Sequence, residues 1–338
     1  MKALVWDKLE SIRLMHDLPQ PEPSGNEVVV RVMAAGVCTT DLHMVRGKLP
    51  FAQPPWILGH EIAGIVHGVG DGAMPWKPGD RVVVDPVVGC GCCRFCLSGK
   101  KHLCGDGGEI GTTVGNGGYG QFVVAGASNL YRLPSCMSFE EGAMIEPLNC
   151  TAGAIERVSN MAGAHAIVFG AGPAGLLFVQ LARAYGALTV TLVGTSESSL
   201  ALGRKLGADR TVMLKDVDAL NEHRYDVAIE ASGSVRGVKD CIRFVARGGT
   251  VVLYGLHGTN AAVIDSDDIV VKDLTVVTSI AAPRLWSKCI DFVEHDIIRV
   301  SDIISHRLPM LQAEAFLNDL VSGRESVMKL ILLYSPDD

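Results

Sequence analysis

The segment Ala166-Ile167-Val168-Phe169-Gly170-Ala171-Gly172-Pro173-Ala174-Gly175 joins an apolar, β-branched run to a glycine-rich loop. An apolar run with helical character, Leu176–Leu181, follows directly, and a second strand-like run, Leu188–Val193, comes next. Strand, G-x-G-x-x-G turn, helix and strand in this order are typical of a dinucleotide-binding βαβ unit. Such a unit holds the pyrophosphate on the free N–H groups of the helix N-terminus. The alternative is a glycine-rich turn in an ordinary α/β core.

The same alternation of strands and helices extends over Leu148–Ser279. Continuous apolar strands separated by helices indicate a parallel sheet that is covered on both faces. The sequence therefore predicts a doubly wound α/β domain. Strands are expected at His165–Phe169, Leu188–Val193, Tyr225–Glu230, Thr250–Tyr254 and Leu274–Thr278, and helices at Gly175–Tyr185, Ser198–Leu206 and Val235–Val245.

The chain has 338 residues, which suits about two domains of roughly 150 residues each. Up to Pro147, short alternating runs such as Glu27–Met33 and Ile62–Val69 are broken by proline and glycine turns, which predicts an irregular, mostly β domain. The tail, Ile280–Asp338, holds too little apolar sequence for a domain of its own and is expected to rejoin the first. We therefore expect one domain over residues 1–147 and 280–338 and a second over 148–279.

The overall charge gives no sign of a nucleic-acid partner. The 30 Lys and Arg residues are outnumbered by 37 Asp and Glu, the formal net charge is −7, and no basic stripe stands out. The N-terminus alternates like a strand and has no apolar stretch of signal-peptide length. Val158–Ala182 is long and free of charges, but its glycine spacing predicts a buried strand, turn and helix rather than a membrane span. We expect a cytoplasmic protein that binds neither nucleic acid nor a membrane.

Five of the ten cysteines fall within fifteen residues. Four of them have the spacing C-x2-C-x2-C-x7-C, namely Cys90, Cys93, Cys96 and Cys104. In a chain without an export signal such crowding indicates metal binding, and four thiolates close the shell of a tetrahedral zinc ion. We predict a structural zinc site in a lobe over residues 89–105, with Cys92 pointing away and His102 as a substitute ligand. Disulfides or inert thiols are the alternatives.

A second set of metal-ligand types is dispersed along the first domain and comprises Cys38, His60, Glu61 and Glu146. A site with three protein ligands keeps a fourth position for substrate, as metal catalysis requires. Each residue also has a plain structural interpretation, as a buried thiol, a core histidine or a carboxylate at a helix entry. Spacing alone leaves both interpretations open.

The choice of dinucleotide is expected to be set at the end of the second strand of the βαβ unit. A carboxylate there binds the adenosine ribose of NAD and repels the 2′-phosphate of NADP. The expected acidic position falls at about Gly194, which leaves room for a phosphate with Thr195, Ser196 and Arg204 as donors. Glu197 argues for NAD, since its carboxylate would take the ribose role. The sequence slightly favours NADP over NAD.

Taken together, the motifs resemble those of the zinc-dependent medium-chain alcohol dehydrogenases, over essentially the whole chain. The resemblance rests on the four-cysteine lobe, the dinucleotide loop, Gly-Val-Cys-x-Thr-Asp-x-His at 36–43, Gly-His-Glu-x-x-Gly-x-Val at 59–66 and Gly-Asp-Arg-Val at 79–82. Glu146-Pro147-Leu148 together with Glu61 is similar to the polyol, sugar and threonine dehydrogenase branch. The resemblance implies an α/β fold with a GroES-like, mostly β catalytic domain and a doubly wound, parallel-sheet Rossmann domain.

The resemblance also implies roles for single residues. Cys38, His60 and Glu146 would hold a catalytic zinc ion, and Glu61 would lie behind them or alternate as a ligand. Cys150, one helical turn after Glu146, is a fallback ligand. With the structural ion, this implies two zinc ions per chain.

By the same resemblance the reaction is a reversible hydride transfer from a secondary alcohol to NAD(P). Zinc as a Lewis acid lowers the proton affinity of the alcohol oxygen. Thr40 takes the hydroxyl proton and passes it through the nicotinamide ribose to His43, which releases it to water. Without the family, Thr40 is a loop hydroxyl and His43 a surface histidine.

A metal shell rich in oxygen suits a substrate that chelates through a neighbouring oxygen or amine. We therefore expect a polyol, cyclitol, sugar or amino alcohol, with a simple secondary alcohol or ketone as the alternative. Family alignment implies that Glu109 lies near the pocket wall and binds a substrate hydroxyl or ammonium; otherwise it is a solvated loop carboxylate. Apolar wall is expected from residues that also form plain core in many proteins, namely Leu49, Phe51, Trp56 and Trp286.

Two other classes of protein have the same two-domain plan. A zinc-free quinone or enoyl reductase would lack Cys38, His60 and the four-cysteine lobe. A non-catalytic nucleotide-binding protein would have no need of the Thr40 and His43 pair. We expect a homodimer or homotetramer, for which the apolar strand Leu274–Thr278 is available.

Overall fold

The computed structural model describes residues 1–49, 51–258 and 261–335, and the chain divides into two compact units. The first unit holds Met1–Glu146, Pro283–Glu294 and Ile304–Asp338, and the second holds Pro147–Ala282 and His295–Ile303.

The structure differs from the predicted division in that Pro147 and, in the tail, residues 280–282 and 295–303 belong to the second unit. The side chain of Gln180 accepts a hydrogen bond from the backbone N–H of Arg299 at 2.8 Å, which ties this short segment to a buried helix of that unit. The rest of the tail from Ile304 onward belongs to the first unit.

Strands and helices cover most of the described chain. The strands are β1 (Ala3–Lys8), β2 (Ser11–Met15), β3 (Glu27–Val37), β4 (Glu61–Val69), β5 (Arg81–Val84), β6 (Val87–Val88), β7 (Gly108–Glu109), β8 (Phe122–Gly126), β9 (Leu130–Arg132), β10 (His165–Phe169), β11 (Thr189–Gly194), β12 (Arg210–Met213), β13 (Tyr225–Glu230), β14 (Val245–Leu253), β15 (Thr275–Thr278), β16 (His306–Pro309) and β17 (Leu330–Leu333). The α-helices are α1 (Thr39–Val45), α2 (Arg94–Leu97), α3 (Phe139–Ala143), α4 (Ile145–Ile155), α5 (Pro173–Ala184), α6 (Glu197–Lys205), α7 (Val235–Phe244), α8 (Ser266–Val271), α9 (Trp286–Glu294) and α10 (Glu314–Ser322).

The second unit is built on a parallel sheet in the order β12-β11-β10-β13-β14-β15. Counted from β10, this is the doubly wound order 3-2-1-4-5-6, with its reversal between β10 and β13. The predicted strand His165–Phe169 has the same bounds in the structure. The sequence pattern does not predict β12, because only Val212 of its four residues is buried. The doubly wound α/β fold is confirmed.

Three residues, Gly170, Ala171 and Gly172, connect the end of β10 to the start of α5. Pro173 is the first residue of α5, where its missing N–H costs no hydrogen bond. A Cβ atom at Gly175 would lie 1.7 Å from the carbonyl oxygen of Gly170, so the first turn of α5 packs against the loop itself. A Cβ atom at Gly172 would have no atom within 4 Å.

The first unit is built on a mostly antiparallel, seven-stranded sheet. Its order is β16-β17-β3-β4-β5-β9, and β8 also pairs with β3. The tail strand β17 runs antiparallel to β3 and so completes the sheet. The apolar sides of these strands, with β1 and α10, form one buried cluster that includes Val30, Ile62, Leu317 and Leu332. This is the mostly β domain that the sequence predicts.

In the described part of the chain no helix combines the length and the apolar character that a membrane crossing requires.

Gly175→Ala is expected to destabilise the second unit, since its methyl group has to displace the Gly170 carbonyl. We expect the free energy of unfolding to fall by about 1–3 kcal/mol. Gly172→Ala is the matched control and should change it by less than about 0.5 kcal/mol, because its methyl group meets open space. Equal unfolding midpoints for the two variants in scanning calorimetry would contradict the close packing of α5 on the loop.

Candidate active site

The register of three neighbouring strands brings distant residues of the first unit together. Gly36 of β3 pairs with Glu61 of β4, and Val37 of β3 pairs with Leu330 of β17. Cys38 follows β3 directly and is the N-cap residue of α1. The end of β3 is therefore flanked by residues from the start of β4 on one side and from the start of β17 on the other.

The donor atoms of Cys38, His60 and Glu61 lie within 4.8 Å of one another. His60 and Glu61 are buried, at 4% and 1% exposure, and Cys38 is partly exposed. A thiolate, an imidazole and a carboxylate are ligand types of zinc sites that keep an open position. Neighbouring ligand atoms of a tetrahedral zinc ion lie roughly 3.5 Å apart, so these three residues fit such an ion with small movements.

Among the described residues, Glu146 does not belong to this donor group. It is a buried residue in the first turn of α4, and its charge reaches Lys329, whose pKa it helps to raise. The structure thus groups Glu61 with Cys38 and His60, whereas the resemblance implies Glu146 as the third member. Glu61 is placed beside the thiol by the β3–β4 register, in which it pairs with Gly36, two residues before Cys38. Cys150 lies in the second unit and stays a prediction.

Asp41 connects two members of the donor group. Its Oδ2 accepts hydrogen bonds from the backbone N–H of Cys38 at 3.1 Å and from the hydroxyl of Tyr119 at 2.8 Å, and its Oδ1 lies 3.3 Å from Nδ1 of His60. Burial raises the pKa of Asp41, but the neighbouring His60 and the hydrogen bonds lower it below its usual value overall. Asp41 is therefore ionised, and it fixes the thiol turn and the imidazole relative to each other.

Lys329 is the buried partner of Glu61. Its Nζ lies 2.6 Å from Oε1 and 2.5 Å from Oε2 of Glu61, and it donates to the carbonyl of Val37 at 3.2 Å. Burial lowers the pKa of Lys329, but Glu61 and Cys38 outweigh this and raise it overall. A Cβ atom at Gly36 would lie 1.7 Å from Oε2 of Glu61, so the carboxylate occupies the space that the glycine leaves open.

Glu109, the last residue of β7 in the first unit, contributes to the pKa of His60. Burial lowers the pKa of His60, but Asp41, Glu109 and Cys38 raise it well above its usual value. Glu109 pairs with Val87 in the β6–β7 ladder, and its carboxylate accepts a hydrogen bond from the Thr112 hydroxyl at 2.8 Å. Among the described residues, no cation forms an ion pair with Glu109.

Thr40 and His43 lie three residues apart on α1 and therefore on one face of the helix. Both are partly exposed. Burial, Lys48 and Arg46 lower the pKa of His43. The imidazole is therefore neutral at neutral pH and can accept a proton.

The four sulfur atoms of the cysteine lobe, from Cys90, Cys93, Cys96 and Cys104, lie within 4.8 Å of one another. Backbone N–H groups of Cys90 and Cys96 point at sulfur atoms of this group, at 3.4 Å from Cys104 and 3.5 Å from Cys93. Hydrogen bonds from Cys92 and Cys93 lower the pKa of Cys90 to about 6, so its sulfur is a thiolate at neutral pH. The donor set fits a closed zinc shell.

Cys92 and His102, the other candidates in the lobe, are not part of the four-sulfur group. Cys92 lies outside it, with its sulfur 3.6 Å from that of Cys90. All ten cysteines of the chain are free thiols in the structure.

In the second unit, the residues predicted for the adenosine end lie at the end of β11 and the start of α6. Gly194 is the last residue of β11, and Thr195 and Ser196 follow it. The Ser196 hydroxyl caps α6 by accepting from Ser199 N–H, and the Arg204 guanidinium donates to Thr211. No side chain projects at Gly194, so the position lacks the carboxylate that selects NAD.

The predicted apolar wall residues have structural contacts of their own. Trp286 is buried and stacks on Tyr131, with ring centroids 5.5 Å apart. Leu49 and Trp56 pack against the core cluster of the first unit, and Phe51 is 51% exposed. Trp286 is therefore core, as the plainer interpretation has it.

Sequence reasoning missed Tyr119 and Lys329. Lys329 lies 268 residues from Glu61, and no local motif surrounds it. Its position directly before an apolar tail strand is the one signal in the sequence, because a cation at the start of a buried strand needs a partner.

A doubly wound unit with a dinucleotide-binding loop, together with a unit that carries two groups of zinc-ligand residues, is the combination found in zinc-binding dehydrogenases. Residues 24–135 match the family model of the alcohol dehydrogenase GroES-like domain, and residues 173–295 match that of the zinc-binding dehydrogenases. The chain belongs to the zinc-dependent medium-chain alcohol dehydrogenases, as its motifs predict, and is an oxidoreductase that acts on CH–OH groups.

Three known proteins illustrate the relationship. The chain is 31% identical to a sorbitol dehydrogenase of Gallus gallus, over 99% of this chain and 97% of that protein. It is 32% identical to an L-threonine 3-dehydrogenase of Anaeromyxobacter sp., over 98% and 99%. A Sinorhizobium meliloti structure, described as a zinc-binding dehydrogenase bound to NADP, matches with a TM-score of 0.91 at 30% identity, over 98% of each chain.

Lys329→Met is expected to leave the Glu61 carboxylate buried without a cation. Removing one partner of a buried pair costs about 3–5 kcal/mol of unfolding free energy, which urea unfolding measures. The double variant Glu61→Gln/Lys329→Met should be more stable than Lys329→Met, because no unpaired charge remains. If Lys329→Met unfolds at the same urea concentration as the unmodified protein, the pair does not stabilise the site.

Proposed function

We propose that the protein is a zinc- and NAD(P)-dependent dehydrogenase that reversibly oxidises a secondary alcohol group of a polyol, sugar, cyclitol or amino alcohol to a ketone. The observation that carries the proposal is the group of donor atoms from Cys38, His60 and Glu61. The names of the relatives support the substrate class, since they include sorbitol, D-altritol and L-threonine dehydrogenases.

Cys38, His60 and Glu61 would hold the catalytic zinc ion. Nδ1 of His60 faces Asp41, which leaves Nε2 for the metal and makes Asp41 the carboxylate that orients the imidazole. Glu146 is proposed as the alternating carboxylate, since the family resemblance implies it as a ligand and it is buried in the first turn of α4. Cys90, Cys93, Cys96 and Cys104 would hold a second, structural zinc ion, which gives two per chain.

When bound at the first of these sites, zinc supplies Lewis acidity that lowers the proton affinity of an alcohol oxygen. Two residues of α1, Thr40 and His43, then move the proton of the substrate hydroxyl to solvent. Thr40 takes it from the substrate hydroxyl and His43 releases it to solvent. The lowered pKa of His43 suits this role, because a neutral imidazole is needed to accept the proton.

The glycine loop from Gly170 to Gly175, including Gly172, Pro173 and Ala174, would hold the dinucleotide pyrophosphate at the N-terminus of α5. We propose NADP rather than NAD. Gly194 carries no carboxylate, and the hydroxyls of Thr195 and Ser196 with Arg204 supply donors for a 2′-phosphate. Arg204 would exchange its bond to Thr211 for the phosphate. The NADP in the Sinorhizobium meliloti structure supports this choice.

Glu109 is proposed as a substrate-binding residue. It is partly buried, it helps to raise the pKa of His60, and it has no cation partner among the described residues. A carboxylate in this state attracts an ammonium group more strongly than a neutral hydroxyl. The geometry therefore favours an amino alcohol within the proposed substrate class.

The protein is further proposed to act in the cytoplasm as a homodimer or homotetramer. β15 is an outer strand of its sheet, and its Val276 is exposed. Val270 and Val271 of the neighbouring helix α8 are exposed as well. An unpaired strand edge with apolar residues beside it is a template for pairing with a second copy.

The zinc sites make opposite predictions for two cysteines. Cys38→Ser should lose one of two zinc ions and all turnover but unfold close to the temperature of the unmodified protein, since strand pairing, Asp41 and the Glu61–Lys329 ion pair hold the site without the metal. Cys93→Ser should also lose one zinc ion, yet it should unfold at a markedly lower temperature, because a structural zinc contributes folding free energy. Metal analysis by mass spectrometry with calorimetry measures both. A single zinc ion in the unmodified protein, or an unchanged melting curve for Cys93→Ser, would contradict the assignment.

The function itself is tested by a substrate screen with NAD and NADP in parallel. Polyols, sugars and amino alcohols are offered to zinc-loaded protein, with 1-amino-2-propanol and 1,2-propanediol as a matched pair. We expect turnover with NADP above NAD. Glu109→Gln should weaken kcat/KM at least about tenfold for the amino alcohol and leave the diol unchanged. If no alcohol is turned over, the proposed function is contradicted. If Glu109→Gln lowers kcat/KM equally for the amino alcohol and the diol, only the role of Glu109 is contradicted.

A further inference from the structure

A polar cavity of about 180 Å³ lies in the second unit, at the edge of the sheet where β10, β11 and β13 begin. Thr191 and Tyr225 form its buried floor, and His165 and Thr189 form partly buried walls. Three exposed residues complete the lining at its rim: Arg210, Asn221 and Arg224. The glycine loop follows the carboxyl end of β10. The cavity lies at the amino ends of the strands, which is the opposite end of the sheet from the loop.

The cavity interrupts an otherwise apolar sheet face. Thr189, Thr191 and Val193 are every second residue of β11 and therefore point to the same face of the sheet. Of the three, only Val193 belongs to the core cluster on that face. His165 is paired with Thr189, and Arg210 with Thr191, in the neighbouring strands. Strands of a parallel sheet are normally apolar on both faces. Four polar residues, His165, Thr189, Thr191 and Arg210, therefore lie side by side where these strands begin.

Both arginines at the rim have free side chains. Within the described residues, neither the Arg210 nor the Arg224 guanidinium makes a hydrogen bond or an ion pair. Glu222, which lies in the turn between Asn221 and Arg224, forms an ion pair with Arg243 instead. Arg243 also pairs with Asp218. Both arginines line the cavity, and no ion pair within the described residues balances their charge.

Two other polar groups of this edge are already engaged. Asp226 accepts a hydrogen bond from the backbone N–H of His165 at 2.8 Å, so one carboxylate lies at the same edge. Nδ1 of His165 is bonded to the Thr189 hydroxyl at 2.7 Å. Asp209, next to Arg210, also lies at this end of the sheet, where it accepts from the backbone N–H of Val190 and forms an ion pair with Arg183 at 3.4 Å. Among the described residues, Arg210 and Arg224 then face one unpaired carboxylate, that of Asp226, so an excess of positive charge remains.

The rim is held in place by its surroundings. Val217 and Leu220, which precede it, are buried in the core cluster. A tight turn at Glu222 and His223, the latter with φ of 55°, then carries the chain from Asn221 to Arg224. The ion pair of Glu222 with Arg243 fastens this turn to α7. The two arginines are therefore presented by anchored segments.

We propose that this cavity binds a phosphate group, either as inorganic phosphate or as the phosphomonoester of a small molecule. Guanidinium groups bind phosphate through paired, charge-assisted hydrogen bonds, and the hydroxyl and amide groups of the lining add neutral donors. A volume of about 180 Å³ accepts a phosphate group, and it is smaller than the roughly 300–1,000 Å³ of pockets for drug-sized ligands. The site is distinct from the dinucleotide loop and does not rest on the proposed catalytic function.

The test is isothermal titration calorimetry of the zinc-loaded, full-length protein with inorganic phosphate. NADP is present at saturation, so that the dinucleotide loop is filled, and chloride keeps the ionic strength constant. We expect one saturable site per chain. Arg210→Gln and Arg224→Gln should each weaken binding at least about tenfold. Arg157→Gln is the matched control, since Arg157 is an exposed arginine of the same unit outside the cavity.

Further arms of the experiment identify the source of the phosphate. Tighter binding of glycerol 1-phosphate than of inorganic phosphate assigns the cavity to phosphomonoesters, and weaker binding assigns it to the free ion. Calorimetric unfolding confirms that the variants are folded. The proposal is overturned if the unmodified protein shows no saturable binding of either compound, if malonate binds as tightly as phosphate, or if the double variant Arg210→Gln/Arg224→Gln binds like the control. If the protein does not bind NADP, phosphate binding by the arginine variants can still be compared with that by Arg157→Gln, because all variants then have the same empty dinucleotide loop.

Discussion

The ion pair between Glu61 and Lys329, buried in the first unit, is the interaction on which the candidate site depends. An isolated buried carboxylate is strongly unfavourable, and the two Nζ–Oε distances of 2.6 and 2.5 Å give this one its partner. Both residues are placed by the register of β4 and β17 on either side of β3. A slip of one residue in either strand would turn its side chains to the other face and separate the pair. The same register places Cys38, at the end of β3, beside the carboxylate.

A second layer of contacts makes the arrangement rigid. One carboxylate, that of Asp41, accepts hydrogen bonds from the backbone N–H of Cys38 and the hydroxyl of Tyr119, and its other oxygen lies 3.3 Å from Nδ1 of His60. Because Asp41 is ionised and almost wholly buried, its donors have no solvent alternative. Groups that must hold a metal ion in a fixed geometry gain from such outer contacts. The site is thus built from the ends of neighbouring strands and the start of α1.

The sequence predicts the fold and part of the site, and it does so where the relevant contacts are local. β10 and the glycine loop are recognised because strand, turn and helix are adjacent in the chain. His60 and Glu61 are recognised as candidate ligands, but their grouping with Cys38 depends on strand pairing. The family resemblance implied Glu146 as the third ligand, whereas the structure groups Glu61 there. Lys329 and the arginine cavity are missed, since their partners are far apart in sequence and no periodicity marks them.

The central claim is that Cys38, His60 and Glu61 hold a catalytic zinc ion, and anomalous diffraction at the zinc edge tests it most directly. The account predicts two anomalous peaks per chain. One should lie among the four sulfur atoms of the lobe, and the other about 2.3 Å from Sγ of Cys38 and about 2.0–2.2 Å from Nε2 of His60 and an oxygen of Glu61. A crystal of the zinc-loaded protein with no peak at the second position, or with a peak bonded to Glu146 while Glu61 stays on Lys329, would contradict the account.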